Sequence, residues 1–386
     1  MGTGKSTYFI KQMRNNTDTK YIYITPFLSE IERILNEIPD FKEPKHLGEG
    51  KLDNLHTLLI NDCNIATTHS LFKTCTDETI DLINAGDYTL ILDESMDVID
   101  MFDITNKDYD LLIKNKVIEV NEDKVVKWLD DDYEGQFNYF KKLCKNGTVI
   151  EIKKTKKIQF LAWNFSTSAF KAFKDVYILT YLFEASMMQH YFEMSKINYK
   201  KYIIQDYKLI PFKDKKPYDK SKYKELINIY EGNLNNIGDR RTALSLNWMR
   251  KKTDLRKKLK NNIYNYFQHH VNATSDTILW TTFKSMKNHL KGKGYTKSFL
   301  TCNARATNEY KDRYNLAYCC NRFISPDYIK YFEKHNVKVN EELYALSEML
   351  QWIWRSRIRE NKPINIYIPS NRQRQLLIWW LNNENI

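Results

Sequence analysis

The chain has 386 residues, 42% of them hydrophobic, with 60 Lys+Arg against 48 Asp+Glu for a net charge of +12. That length exceeds what one hydrophobic core usually organises, so two domains are expected. No apolar run approaches the ~18 residues that cross a bilayer, the longest being Leu376 to Leu381, and the start has no apolar stretch of the kind a secretory signal needs. The opening matches the myristoylation pattern Met-Gly-x-x-x-Ser, a permissive six-residue pattern that carries little weight. Six cysteines (Cys63, Cys75, Cys144, Cys302, Cys319, Cys320) form no C-x-x-C, and eight histidines show no ligand spacing. Reduced thiols, a cytoplasmic location and the absence of a zinc site are the expectations. A basic balance suits a nucleic-acid partner. A genome rich in Lys, Asn, Ile and Tyr codons is the competing source of that charge.

In chain order, "TYFIKQMR" follows a Gly-rich turn and reads as a helix. "YIYITP" is a short β-rich run stopped by Pro26, and "LSEIERILNEI" returns to helical spacing. "NDCNIATTHSLF" holds a short strand at 64–67. A helix over 77–84 then leads into "YTLILDES", an apolar strand of the kind buried on both faces of a parallel sheet. Strands alternating with helices in this way predict a doubly wound α/β domain. Residues 103–157 are charged and less periodic and read as an insertion. "IQFLAWNF" and "VYILTYLF" read as strands flanking the helix "SAFKAFKD", and the first domain is expected to end near Lys196. "YKKYIIQDYKLIPF" restarts β structure, and 213–270 reads as a basic, mostly helical insertion. The α/β rhythm resumes with "DTILWTTF", "KSFLTCN", "YNLAYCCNRF" and "PINIYIPS". The domains expected are therefore 1–196 and 197–386.

Three stretches carry chemistry. Gly2-Thr3-Gly4-Lys5-Ser6-Thr7 is the latter half of a phosphate loop leading into a helix. Glycines let backbone N–H groups close around phosphate, and the helix N-terminus adds a favourable dipole. Lys5 would reach the β- and γ-phosphates, and the Ser6 hydroxyl would bind Mg2+. Asp93-Glu94 ends an apolar strand, as a Mg2+-holding aspartate and a water-activating glutamate should; the alternative is an acidic pair capping the next turn. Near the C-terminus, "QWIWRSRIRE" places Gln351, Arg355, Arg357 and Arg359 on an expected helix. An arginine there would stabilise charge building on a transferred phosphoryl group, or else contact nucleic-acid phosphates.

The ordered set resembles a superfamily-2 (DExx-type) helicase of the phage replication type, and the Gln-x-x-x-Arg-x-Arg spacing resembles that of viral origin-binding helicases. "GTGKST" is similar to motif I, "YITPFLSE" to Ia, "ATTHS" to the threonine-containing motif that follows, and "LILDES" to motif II. "LTYLFEAS" is similar to motif III, "ILWTTF" to IV, "NARATNEYKDRYNLAY" to V and "QWIWRSRIR" to VI. The resemblance implies two tandem RecA-like P-loop domains with parallel doubly wound sheets, ATP with Mg2+ as cofactors, and nucleic acid bound across both. It implies that Gly2, Thr3, Gly4, Lys5, Ser6 and Thr7 bind phosphate, that Ser6 and Asp93 hold Mg2+, and that Glu94 acts on water. It also implies that Thr180 couples ATP state to domain closure, that Gln351 senses the γ-phosphate, and that Arg355 with Arg357 supplies the finger. Thr25, Thr67, Thr68, Thr281, Arg305, Thr307 and Asn308 fall where family members touch nucleic acid or link it to ATP.

Two departures stand out. Trp354 occupies a position usually held by Gly, and the arginines lie two and four apart rather than three. The strand that should precede the phosphate loop is missing from the sequence. The expectation is that the protein starts further upstream and that Met1 is an internal methionine of the loop. The function expected is an ATP-dependent helicase or translocase acting on DNA rather than RNA in phage or mobile-element replication, with replication proteins as further partners and no membrane. The alternative is a nucleic-acid-binding module with an inactive or truncated ATPase site, in which Trp163, Trp248 and Trp280 would stack on bases.

Overall fold

The structure, a computed structural model, describes residues 4–48, 50–154, 157–214, 219–304 and 309–383. The chain forms two units. The first comprises Gly4–Lys200 together with Pro326–Lys338, and the second Lys201–Ser325 together with Val339–Ile386.

The first unit is built on five strands, β1 (Tyr21–Thr25), β2 (Phe41–Lys42), β3 (Asn64–Thr68), β4 (Thr89–Asp93) and, later in the chain, Asp175–Leu179. That last strand lies beside β4 in the order Asp175–Leu179, β4, β1, β3, β2, and every pairing is parallel. Every residue of β1 and of β4 is buried, as strands sandwiched between helices must be, which is why both read as near-continuous apolar runs.

Between β4 and the last strand the chain builds a second, antiparallel sheet from β5 (Ile99–Phe102), β6 (Ile118–Val120), β7 (Val125–Trp128), β8 (Gly147–Lys154) and β9 (Lys157–Phe165), in the order β5-β9-β8-β7-β6. The inserted module is thus larger than the 103–157 expected, and "IQFLAWNF" is its long strand β9 rather than part of the parallel sheet. The final parallel strand, Asp175–Leu179, is β10. "SAFKAFKD" yields only the single helical turn Ser168–Lys171.

The helix Pro326–Lys334 returns to the first unit from within the second stretch of chain. It falls late in the chain but packs in the first unit, where Tyr331 and Phe332 are fully buried. The Tyr331 hydroxyl lies 2.8 Å from the Asn164 amide nitrogen, and Phe332 meets the His190 ring edge-on at 5.5 Å. Aromatic burial of this size outweighs sequence proximity.

The second unit opens with the hairpin β11 (Tyr202–Gln205) and β12 (Lys208–Pro211). Its four-stranded parallel sheet comprises β13 (Ile227–Ile229), β14 (Ile278–Thr281), β15 (Asn315–Tyr318) and β16 (Ile364–Tyr367), in the order β13-β16-β15-β14. The stretch 213–270, expected as a helical insertion, therefore also supplies an edge strand of the sheet, β13. "KSFLTCN" contributes only an isolated bridge between Trp280 and Phe299. All six cysteines are free, and among the described residues no helix is long and apolar enough to cross a membrane.

Candidate nucleotide site

The site lies in the first unit, at the C-terminal edge of its parallel sheet, where open α/β sheets bind ligands. Gly4 stands in the left-handed region at φ 74° and starts the helix Lys5–Asn15, with the Tyr8 N–H donating to the Gly4 carbonyl at 2.8 Å. Glycine adopts this conformation without the steric cost that a Cβ would bring. The first turn of that helix holds no acidic residue and no side-chain cap, so its leading N–H groups and dipole present a positive end. Gly2 and Thr3 lie outside the described residues; Thr7 is exposed on the first turn.

Ser6 Oγ donates to Asp93 Oδ1 at 3.1 Å, joining the loop to the end of β4. Burial, with the neighbouring Glu94 charge adding to it, pushes the Asp93 carboxyl up to about 6 against hydrogen bonding from Tyr23 and Ser6. Burial also lowers Lys5, and the charges of Glu94 and Asp93 work against that shift. The Tyr23 phenol, beside Asp93, is held above its ordinary value by burial first and by the Asp93 charge next. Thr25 is fully buried at the end of β1, and its Oγ1 has no hydrogen-bond partner among the described residues.

Glu94 follows directly at φ 64°, a conformation that costs a side-chain-bearing residue about 1–2 kcal/mol. Two bonds hold it there. Its N–H donates to the Leu179 carbonyl at 3.1 Å, and Thr180 Oγ1 donates to Glu94 Oε2 at 3.2 Å. The ends of β4 and β10 are thereby locked together with the Glu94 carboxylate aimed at the loop side. His69 completes the cluster, with Nε2 donating to the Asp93 carbonyl at 3.0 Å, which places the proton on that nitrogen. Sequence reasoning passed over His69; its signal was its place directly after strand-end Thr68 in "ATTHS".

The donor set fits a Mg2+–nucleotide. A hydroxyl and a carboxylate, both hard oxygen ligands, meet beside a positive helix end and an amine.

Several expected nucleic-acid contacts are placed elsewhere. Thr25, Thr67 and Thr281 are 0%, 4% and 0% exposed at strand ends, so their side chains are inside the fold. Thr68 caps the turn His69–Phe72 by accepting from the Leu71 N–H. Trp163 and Trp280 are core rings, the latter donating its indole N–H to the Tyr295 carbonyl, and Trp248 is half-buried against the core. Neither Trp163 nor Trp280 is a stacking platform. Arg305, Thr307 and Asn308 lie outside the described residues.

In the second unit the helix expected to carry motif VI ends at Ile353. Gln351 is buried on it and donates to Ser347 Oγ at 3.2 Å. Arg355 falls in the following turn, and Arg357 and Arg359 in a short 3₁₀ segment. Trp354, where glycine was expected, is buried against Tyr223 and Trp380 and so anchors the turn. Arg357 stacks over the Tyr314 ring at 3.9 Å and donates Nε to the Pro363 carbonyl.

Residues 99–163 match the YonV middle domain, and residues 221–381 the YonV C-terminal Rossmann-like domain. The SPbeta prophage-derived uncharacterized protein YonV of Bacillus subtilis (strain 168) is 44% identical over 406 residues, spanning 100% of this chain and 97% of that protein. The chain belongs to the YonV family. In this chain the middle-domain match begins with β5 and ends within β9, so it coincides with the inserted antiparallel sheet. The C-terminal match takes in all four strands of the second parallel sheet. Among solved structures, Xpd4 of S. tokodaii is 11% identical with a TM-score of 0.50, over 98% of this chain and 91% of that one. A ligand-free XPD structure is 11% identical with a TM-score of 0.49, over 99% and 93%. The likeness is one of fold: mixed α/β with parallel sheets, of the XPD helicase kind.

Proposed function

We propose that this YonV-family chain is an ATP- and Mg2+-dependent nucleic-acid helicase or translocase of the superfamily-2 type, acting on DNA in prophage replication. The observation that carries the proposal is the convergence of Ser6, Asp93, Glu94 and Thr180 at the end of one parallel sheet beside the helix that begins at Lys5.

On this reading the leading N–H groups of that helix and the Lys5 ammonium bind the β- and γ-phosphates. Ser6 and Asp93 would hold Mg2+, which would supply charge neutralisation. Glu94, fixed by Thr180 and by the Leu179 carbonyl, orients the attacking water and takes its proton. As the helicase resemblance implies, Gln351 would sense the γ-phosphate and Arg355 with Arg357 would supply the finger. Thr180 reports the state of the γ-phosphate through Glu94.

Strand displacement tests the proposal. A forked DNA duplex should be opened only with ATP and Mg2+ together, and Lys5→Ala should abolish opening. A protein that binds the fork but neither opens it nor moves along it with ATP would overturn the motor reading in favour of a binding module.

A further inference from the structure

The positive charge of the chain is not spread along it. Residues 1–200 hold 25 Lys+Arg against 31 Asp+Glu, a net of −6, whereas residues 201–386 hold 35 against 17, a net of +18. A codon bias acts on the whole gene and does not produce opposite signs in its two halves. Within the basic half, two short segments dominate. Residues 250–260 and 284–297 together carry twelve Lys+Arg against the single Asp254, a net of +11 from 25 positions.

The fold brings these two segments together. The helices Leu246–Lys251, Thr253–Asn265 and Lys287–Leu290 pack side by side, the middle one touching both others. Their apolar residues Met249, Leu259, Ile263, Met286 and Leu290 enter one core cluster with Trp280 of β14. Burying that face turns the other outward. Arg250, Lys251, Lys252, Lys257 and Lys258 are exposed on the first two helices, and Lys284, Lys291 and Lys293 on the adjoining segment. Among the described residues, the carboxylate paired with a basic side chain of this face is Asp254, 3.9 Å from Lys257 and itself 99% exposed. Arg256 is used internally, donating to the Met249 carbonyl at 2.7 Å.

A protein partner is a poor fit to such a face. Protein interfaces are depleted in lysine and centred on apolar or aromatic anchors, whereas the large exposed apolar side chain on these helices is Leu255 alone, at 40%. A dense field of cations, only Lys257 among them paired with a carboxylate among the described residues, and with no apolar centre, is instead complementary to a phosphate backbone, whose condensed counterions it displaces.

We propose that this three-helix face is a docking surface for the phosphate backbone of nucleic acid, separate from the nucleotide site and indifferent to base sequence. The proposal takes the class of ligand from the motor reading and nothing else.

The test is fluorescence anisotropy of a single-stranded DNA of mixed sequence against KCl concentration, with the full chain. The variants are Lys251→Glu/Lys258→Glu, the milder Lys251→Gln/Lys258→Gln, and a control with the same charge change on the exposed helix Ser221–Leu226, Lys222→Glu/Lys224→Glu. The expected result is about tenfold or greater weakening for the Glu pair, a smaller loss for the Gln pair, and a salt slope reduced by about 1.4 for two lost contacts. The control should stay within about twofold at unchanged slope. Equal weakening by control and face variants, or none by either, overturns the docking surface. ATP turnover by the unaltered chain separates the two readings. Face-dependent binding without turnover retains the surface and removes the motor; stimulated turnover with face-independent binding does the reverse.

Discussion

Thr180 Oγ1 donates to Glu94 Oε2 at 3.2 Å, tying the turn after β10 to the turn after β4. The bond matters because Glu94 sits at a backbone angle that side-chain-bearing residues avoid, and the two strand ends hold it there. Thr180 is thus a positioning residue. Thr180→Val should lower nucleic-acid-stimulated kcat about tenfold with little change in KM for ATP, since misplacing the base harms the chemical step more than binding. Thr180→Ser should restore most of the loss. A rise in KM at constant kcat would show that Thr180 acts in ATP binding instead.

The raised Asp93 carboxyl makes a stability prediction whose sign follows directly. Its folded value of about 6 lies above the ordinary 3.8, so the protonated form favours folding. That contribution is fully present below about pH 4 and is lost as pH rises through about 6. At pH 7.5 the ionised carboxylate weighs against the nucleotide-free fold by up to about 3 kcal/mol. Asp93→Asn keeps an acceptor for Ser6 and should raise Tm at pH 7.5 more than at pH 5, while removing stabilisation by Mg2+ and ATP. An equal Tm change at both pH values would contradict the account.

The late helix Pro326–Lys334 is pinned by a buried polar pair, Tyr331 and Asn164. Tyr331→Phe leaves the Asn164 amide buried with an unmet group and should cost about 1–3 kcal/mol in urea unfolding. A change within experimental error would mean that aromatic burial alone holds the helix.

Arg355 and Arg357, the two proposed finger residues, can be told apart by turnover. Arg357→Ala removes the stack on Tyr314 and the bond to the Pro363 carbonyl, and should cost about 1–3 kcal/mol of stability. Arg355→Ala should reduce turnover by about 10²-fold or more. Turnover kept by Arg355→Ala but lost by a folded Arg357→Ala would assign the finger to Arg357.

The parallel strands were legible because both faces are buried and their apolar runs are continuous: "YIYIT", "TLILD", "ILWT" and "INIY" all stand as strands. The helix Lys5–Asn15 and the Asp93-Glu94 strand end were legible too, each stretch lying where an element changes. Three things were not. The antiparallel sheet β5–β9 hid in a charged stretch because its outer strands are short and partly solvated, so no strong alternation marks them. The return of Pro326–Lys334 to the first unit depends on Tyr331 meeting Asn164, a pairing 167 residues apart that no local pattern carries. Thr25, Thr67 and Thr281 were expected where family members touch nucleic acid or link it to ATP, and their burial within the strands is a tertiary outcome that the motif match does not carry.

The central claim is tested most directly by ATP hydrolysis with and without single-stranded DNA, RNA and duplex DNA, comparing the unaltered chain with Lys5→Ala and Glu94→Gln. The account predicts Mg2+-dependent turnover, stimulated most by DNA, abolished by Lys5→Ala and reduced about 10²–10⁴-fold by Glu94→Gln. Folded protein that binds DNA but shows no turnover above the Lys5→Ala level would contradict it.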